Sequence, residues 1–193
     1  MGDASKYSLS VDDVQQAADE LDVELAALRS VLSVESAGDG FLPDGRPKIL
    51  FEAHIFSKRT SHKYDSSHAH ISSRKWDRKL YGAPGAHQWD RLNEAILLQR
   101  EAALMSASWG AAQIMGFNYK ACGFESVEAF VVAMMESAAG QMKAFVKFIE
   151  SQNLIGYLKE KDWAGFAAIY NGPAFAKNKY DEKLAAAYKR YSR

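Results

Sequence analysis

From residue 21 to residue 40 the chain reads LDVELAALRSVLSVESAGDG. Four leucines recur at intervals of four, three and four, the spacing of one face of an α-helix: Leu21, Leu25, Leu28 and Leu32. Because such a face normally packs on the core, the pattern predicts a helix over residues 22–36 with its leucines turned inward. Three positions after the last leucine, on the same face, stands Glu35.

The carboxyl group of Glu35 is therefore expected to point inward near the end of that helix. Burial disfavours a charged carboxylate and raises its pKa, and the negative end of the helix dipole adds about 0.3–1 kcal/mol in the same direction. Both effects favour the protonated form that general acid catalysis needs. The alternative is a glutamate at a frayed helix end in water. The glycine-rich stretch that follows, with Gly38 and Gly40, instead favours an open space for a ligand.

The composition is that of an ordinary globular domain. The chain has 193 residues, 48% apolar and 25% charged, and a formal net charge of zero. The length suits one domain, and the neutral balance argues against nucleic acid as a partner. The only cysteine, Cys122, stands among apolar residues, so we expect a buried thiol and no internal disulfide. No run of 18 apolar residues occurs, which argues against membrane insertion.

Helical patterns dominate the rest of the chain. Ser10 is a suitable cap for a first helix ending near Leu21, and further patterns cover residues 52–61, 89–106, 126–137, 139–153, 162–170 and a terminal stretch from Tyr180. Asp44-Gly45, between two apolar runs, predicts a small hairpin at residues 41–51 as the only sheet. The expected fold class is mainly α, a helical body with one small β-hairpin.

Four stretches of the chain carry a further pattern. Two of them, VESAGDGF at residues 34–41 and RPKILFEAHIF at residues 46–56, lie on either side of the predicted turn at Asp44-Gly45. The others are SWGAAQIMG at residues 108–116 and IYNGP at residues 169–173. In sequence and in order, the four resemble segments of the N-acetylmuramidase family of phage endolysins, which is related to goose-type lysozymes and lytic transglycosylases. The resemblance covers residues 11–188. It implies a lysozyme-like fold with a cleft between the hairpin and the helical body.

The resemblance gives Glu35 the role of the acid that protonates the oxygen between N-acetylmuramic acid and N-acetylglucosamine. A glycosidase that hydrolyses its substrate usually needs a second carboxylate. Glu52, in the family-like Phe-Glu-x-His segment, is the first candidate, although it could simply complement the start of a helix. Asp44 is the other candidate, although Pro-Asp-Gly is also an ordinary turn.

Five further residues are expected to bind the glycan if the resemblance holds: Ser108, Gln113, Met115, Tyr170 and Asn171. Four of them have a structural alternative: Ser108 and Gln113 could cap a helix, and Met115 and Tyr170 could belong to the core.

Residues 57–88 have the composition of a polar inserted loop, with a short helix near residues 76–80. Between Lys58 and Lys79 the insertion carries seven Lys/Arg against two Asp, so it is locally basic. Its histidines, His62, His68 and His70, raise the possibility of zinc, but too few further ligands accompany them. We expect no metal and no cofactor.

The sequence thus predicts a single catalytic domain over residues 1–193, a monomer without a separate wall-binding module. Its partner would be the glycan strands of peptidoglycan. Residues 1–7 lack the apolar core of a signal peptide, so synthesis in a host cytoplasm and delivery to the wall by another factor are expected. Three other functions remain open: a lytic transglycosylase that forms 1,6-anhydro products, a metal-dependent wall peptidase or amidase, and a non-catalytic wall-binding or structural protein.

Overall fold

The computed structural model describes residues 4–35, 40–173 and 175–193. Over these residues the helices are α1 Val11–Glu20, α2 Leu25–Glu35, α3 Ala53–Arg59, α4 Ala86–Met105, α5 Val127–Glu136, α6 Ala138–Ser151, α7 Ile155–Glu160, α8 Trp163–Tyr170 and α9 Tyr180–Tyr191. The strands are β1 Ile49–Phe51, β2 Ala107–Trp109 and β3 Ile114–Met115. The mainly helical class predicted from the sequence is confirmed.

Local side-chain chemistry decides where several helices begin. Ser10 accepts a hydrogen bond from the backbone of Asp13, whose carboxylate accepts one from the backbone of Ser10, so the predicted cap of α1 is confirmed as a capping box. Ser126 caps α5 through its bond from the backbone of Ala129, 3.1 Å long. The second helix begins three residues later than predicted, because Asp22 has a φ of 51°, which a helix cannot contain.

The three strands form one antiparallel sheet in the order β1-β2-β3. The register of the first pair is Ile49 opposite Trp109, Leu50 opposite Ser108, and Phe51 opposite Ala107. The predicted hairpin at residues 41–51 is present as a tight turn closed by a single bridge between Phe41 and Pro47. The expectation that it is the only sheet is wrong, because β1 pairs with a strand that lies more than fifty residues further along the chain.

The end of α2 is held from the side by the C-terminal helix. α2 packs more extensively against α9 than against any other described element, and α8 packs on α9 as well. Leu28 and Val31 of α2 and Leu184 and Ala187 of α9 are buried where these helices meet. The helix from Tyr180 therefore packs back on the body, as the sequence predicts, and it fixes the direction in which α2 ends.

The polar insertion at residues 57–88 is tied to the helical body. Tyr64 stacks on Phe56 with 5.8 Å between ring centroids, and Ile71 is fully buried. His70 lies 2.8 Å from a carboxylate oxygen of Glu94 on α4. Arg78–Leu80 form one turn of 3-10 helix, close to where the sequence predicts a short helix. The insertion thus packs against α3 and α4.

α4 is the longest described helix and is interrupted about two thirds of the way along. Gln99 has φ −160° and ψ 97°, which are extended values. Tyr64 donates a hydrogen bond of 3.0 Å to the carbonyl of Leu98, the residue before the interruption. Neither α4 nor any other helix in the described ranges combines the length and the apolar character needed to cross a bilayer.

Candidate active site

Glu35 is the last residue of α2, and its two carboxylate oxygens differ in their surroundings. Oε2 accepts a hydrogen bond of 2.9 Å from the side-chain amide of Asn171. Oε1 is buried and makes no hydrogen bond with the described residues. A buried polar atom without a protein partner is rare and costs folding free energy, of the order of 1–3 kcal/mol. Such an atom marks a position where a ligand could supply the missing partner.

Burial raises the pKa of the Glu35 carboxyl above its ordinary value. Two weaker effects act in the opposite direction: the hydrogen bond from Asn171 and the positive charge of Lys183 both favour the carboxylate. The result is a carboxyl that keeps its proton to higher pH than an ordinary glutamate. A donor and a cation nearby would stabilise the anion once the proton has left.

The end of α8 supplies the neighbours of Glu35. Asn171 is the C-terminal cap of α8, and Gly172 follows with a φ of 77°, as predicted for the residue that stops this helix. Oδ1 of Asn171 is buried and makes no hydrogen bond within the described residues. Tyr170 donates a bond of 3.1 Å to the carbonyl of Ala112. Burial, followed by the charge of Glu35, raises the pKa of Tyr170, so its hydroxyl stays a neutral donor.

Gln141 of α6 connects the loops on the two sides of this site, and the sequence analysis did not single it out. Its Oε1 accepts from the backbone of Ala111 at 2.8 Å, and its Nε2 donates to the carbonyls of Gly40 and Met134 at 3.3 and 3.0 Å. A Cβ on Gly40 would lie 2.0 Å from Oε1, and one on Gly110 would lie 2.6 Å from the same amide. The available signal was a glutamine on the otherwise apolar, inward face of α6.

Ser108 and Gln113 bind each other at the turn between β2 and β3. Ser108 donates to Oε1 of Gln113 at 2.9 Å, and Nε2 of Gln113 donates to the carbonyls of Gly110 and Lys48 at 2.8 and 3.3 Å. The alternative that Ser108 caps a helix is wrong, because it lies in β2. Gln113 holds a φ of 47° in this turn, and half-buried Met115 stands opposite Ser108. These side chains shape the sheet edge near Tyr170.

Glu52 belongs to a different polar cluster. It accepts a hydrogen bond of 2.7 Å from the hydroxyl of Tyr81, and the same oxygen lies 3.2 Å from Nδ1 of His54. Trp76 in turn donates to the Tyr81 hydroxyl at 2.7 Å. Within the described residues Glu52 makes no hydrogen bond or ion pair with Glu35, Tyr170 or Asn171.

Asp44, the other candidate for the second carboxylate, is an exposed turn residue. Both of its oxygens accept hydrogen bonds from Arg46, and the ion pair between them is 2.6 Å long. In the part of the chain that the structure describes, Asp44 makes no bond to the group around Glu35. The glycine-rich stretch at residues 36–39, where the sequence predicts open space beside the acid, lies outside the described residues.

Two hollows flank the last turn of α2. On the side of Leu32 lies a cavity of about 260 Å³, and its lining includes Gly40, Ala111, Gln141 and Phe145 but no charged side chain. On the side of Ser33 and Val34 lies an open groove of about 360 Å³, lined on its far wall by α9 with Lys183, Ala186, Ala187 and Arg190. Residues that precede Glu35 in α2 thus line a neutral hollow and a cationic one, while Glu35 itself is in the lining of neither.

The described residues contain no cluster of three or more His, Cys, Asp or Glu side chains that could hold a metal ion. His62 is held by Ser57, with 2.8 Å from Oγ to Nδ1, and its nearest acid is Asp65 at 3.5 Å. His70 is held by Glu94. Each of these histidines is thus engaged by protein side chains.

Comparison with known proteins identifies a family and a similar solved structure. The family model of N-acetylmuramidase matches residues 24–192. The crystal structure of the endolysin of Burkholderia phage AP3 superposes with a TM-score of 0.92 at 44% sequence identity, covering 100% of this chain and 74% of that one. No curated protein matches the sequence. Together the two matches confirm the resemblance drawn from the sequence, support its lysozyme-like architecture, and support a peptidoglycan hydrolase of the muramidase class.

Proposed function

We propose, since this chain belongs to the N-acetylmuramidase family, that it cleaves the β-1,4 bond between N-acetylmuramic acid and N-acetylglucosamine with Glu35 as general acid. One observation carries this proposal. Glu35 combines a raised pKa with a buried oxygen that has no described protein partner, at the end of a helix whose last turn lines two hollows. A proton-bearing carboxyl beside a ligand-sized space is the requirement for protonating a leaving sugar oxygen.

The two oxygens of Glu35 have different roles in the proposed reaction. Because the amide of Asn171 already donates to Oε2, the proton is carried on Oε1. That proton passes to the glycosidic oxygen as the bond from this oxygen to the anomeric carbon breaks. Water then adds to the anomeric carbon, and the proton it releases restores Glu35. In the interval the carboxylate is stabilised by the Asn171 amide and by the charge of Lys183.

Hydrolysis and transglycosylation differ in what attacks the anomeric carbon. A second carboxylate beside the bond favours attack by water. Glu52 and Asp44 both bind other residues, so a transglycosylase, which uses one glutamate and closes a sugar hydroxyl onto the anomeric carbon, stays the alternative. We favour hydrolysis because the matching family is that of the muramidases.

Mass spectrometry of digested peptidoglycan tests the reaction. Hydrolysis gives products that end in a reducing N-acetylmuramic acid, whereas transglycosylation gives 1,6-anhydro ends. The Glu35→Gln variant, checked for folding by circular dichroism, is the control. If that variant still cleaves glycan at the wild-type rate, Glu35 is not the acid. If it keeps full biological activity with no cleavage by either protein, the chain acts as a non-catalytic wall binder.

The setting of the reaction follows from the same proposal. The substrate is the glycan strand of peptidoglycan, and the enzyme acts on the wall after release or delivery by another factor. The described part of the chain forms one catalytic domain that acts as a monomer. Size-exclusion chromatography with light scattering tests the last point, and a dimer mass at assay concentration would contradict it.

A further inference from the structure

We propose that the groove between the last turn of α2 and α9 binds the carboxylates of the peptide that peptidoglycan carries on its muramic acid residues. The proposal rests on the proposed function, because it concerns the same substrate. The groove would take the peptide, and the neutral cavity beside Leu32 would be left for uncharged sugar. The cationic groove is defined by Ser33, Val34, Lys183, Ala186, Ala187 and Arg190.

The cationic groove is adjacent to the reacting group. Ser33 and Val34 on its near wall directly precede Glu35 in α2. On its far wall, Lys183 is close enough to lower the pKa of Glu35 through its charge. In the proposed complex, a substituent of the muramic acid bound at Glu35 extends into this groove.

The two cations in the groove are exposed and have no acidic partner within 4 Å in the described part of the chain. Lys183 Nζ lies 5.1 Å from the ring centroid of Tyr180, and the Arg190 guanidinium lies 5.0 Å from that of Tyr191. Three lysines on or beside α9 are paired with acids: Lys159 with Asp22, Lys161 with Glu24, and Lys179 with Glu182. Lys183 and Arg190 in the groove have no such pair in the described residues, and neither has Lys189, which lies on the same helix outside the groove.

The local charge balance supports an anionic ligand. Residues 177–193 hold six Lys or Arg and two Asp or Glu in a chain whose formal net charge is zero. Arg29 adds a further guanidinium, 4.4 Å from the ring of Tyr191. Unpaired cations held close together cost free energy through repulsion, so a concentration of this kind fits a surface that meets negative charge.

The spacing of the cations fits a short peptide. Lys183 and Arg190 are seven residues apart on α9, which places their backbones about 10.5 Å apart along the helix axis at 1.5 Å per residue. An extended peptide of three residues spans about 10 Å. The stem peptide leaves the lactyl group of muramic acid through an amide and carries free carboxylates along its length. One carboxylate near each cation gives two charge-assisted contacts.

Soluble glycan strands with and without stem peptides test the groove. The strands come from uncrosslinked peptidoglycan, and half are stripped of peptide by an amidase. We expect Arg190→Gln to raise KM on peptide-bearing strands by about 3- to 10-fold, with kcat and the KM on stripped strands unchanged. Lys189→Gln, the same charge change at an exposed position outside the groove, leaves both substrates unaffected. Arg190→Lys keeps most of the wild-type preference.

A second arm removes the charge from the substrate instead. Converting the stem carboxylates to amides should raise the wild-type KM to the level of Arg190→Gln on unmodified strands. Phosphate polymers of the wall are the competing anionic ligand, so a third substrate is peptide-stripped glycan that retains them. A raised KM of Arg190→Gln on that substrate alone overturns the peptide assignment. A KM that is raised equally on all strands, or on none of them, overturns it as well. Failure of the wild type to cleave any strand contradicts the proposed function itself.

Discussion

Glu35 and Glu52 are two carboxylates at the ends of regular elements, and their surroundings differ. Glu35 ends α2 with one donor, Asn171, and one buried oxygen without a described partner. Glu52 stands between β1 and α3, and one of its oxygens alone meets both Tyr81 and His54. The first has an oxygen that no described protein group satisfies, whereas the second is engaged by the protein. The comparison teaches that two carboxylates similarly placed at the ends of elements can differ in hydrogen-bond satisfaction, and that an unsatisfied oxygen is the one left for a ligand.

The cluster around Glu52 has a structural purpose of its own. Burial, followed by the hydrogen bond to Glu52, raises the pKa of Tyr81 to about 12, so this hydroxyl remains protonated and donating at any physiological pH. Buried Arg91 donates to the carbonyl of Phe51 at 2.8 Å and balances the charge of Glu52. The chain of bonds from Trp76 through Tyr81 to Glu52 therefore fastens the insertion to the start of α3.

The largest expected effect is on catalysis. Glu35→Gln should lower the rate of glycan cleavage by about 10²- to 10⁴-fold, the usual contribution of a positioned acid, while Glu52→Gln loses far less. Turbidity loss of cell-wall suspensions and release of reducing ends measure both. Near-wild-type circular dichroism and melting temperature establish that the variants are folded. Equal losses for the two variants would mean that Glu52 also takes part in the reaction.

The next expected effect is on stability, where substitution of Glu52 is more damaging than substitution of Glu35. Glu52→Ala leaves the Tyr81 hydroxyl without its acceptor, so we expect a loss of about 1–3 kcal/mol. For a chain of this size that corresponds to a melting temperature lower by about 2–12 °C. Differential scanning calorimetry measures it, with Asp44→Ala in the exposed turn as the control. If Glu52→Ala melts at the same temperature as the control, Glu52 does not stabilise the fold through Tyr81.

A smaller effect of opposite sign is expected for Glu35→Gln. Because the pKa of Glu35 is raised in the folded protein, its favourable contribution is complete below the unfolded pKa and is lost as pH rises through the folded one. The neutral amide does not suffer this loss, so we expect the variant to be more stable than the wild type above that pH, by about 0.5–2 kcal/mol.

Melting temperatures of wild type and Glu35→Gln across pH 4 to pH 8 check this. The difference should be smallest at the acid end and grow with pH. A difference that is constant across the range would show that the carboxyl is not destabilised by burial.

The smallest effect comes from the positive charge near the acid. Lys183 lowers the pKa of Glu35, so Lys183→Gln should move the alkaline limb of the activity profile to higher pH on peptide-stripped glycan. Since Lys183 is exposed, added salt should shrink the shift. Lys189→Gln, on the same helix, should leave the limb in place. A shift of the limb to lower pH in Lys183→Gln would contradict the electrostatic account.

Features that depend on residues close together in the chain were predictable from the sequence. The leucine spacing led directly to Glu35 at the end of α2, Ser10 marked the start of α1, and Asn171 with Gly172 marked the end of α8. Each of these features depends on neighbours within one or two helical turns. The roles of the other predicted glycan-binding residues, with Glu52 and Asp44, stay predictions that the variants above can test.

Features that join distant parts of the chain were not predictable in the same way. The pairing of β1 with β2 depends on which strand reaches that edge after folding, and nothing in either three-residue segment specifies the partner. The contacts of Gln141 with Gly40 and Ala111 have the same origin. α7 was missed because six residues are too few to show a helical period, and Gly156 lies within them.

The exposed indole of Trp76 makes the insertion visible to fluorescence spectroscopy. The chain has four tryptophans. Trp76 is 58% exposed, whereas Trp89, Trp109 and Trp163 are at most 9% exposed. A water-soluble quencher such as iodide should therefore extinguish emission from the insertion first and leave that of the body. The fluorescence of Trp76 can therefore report local unfolding of residues 57–88 separately from unfolding of the core.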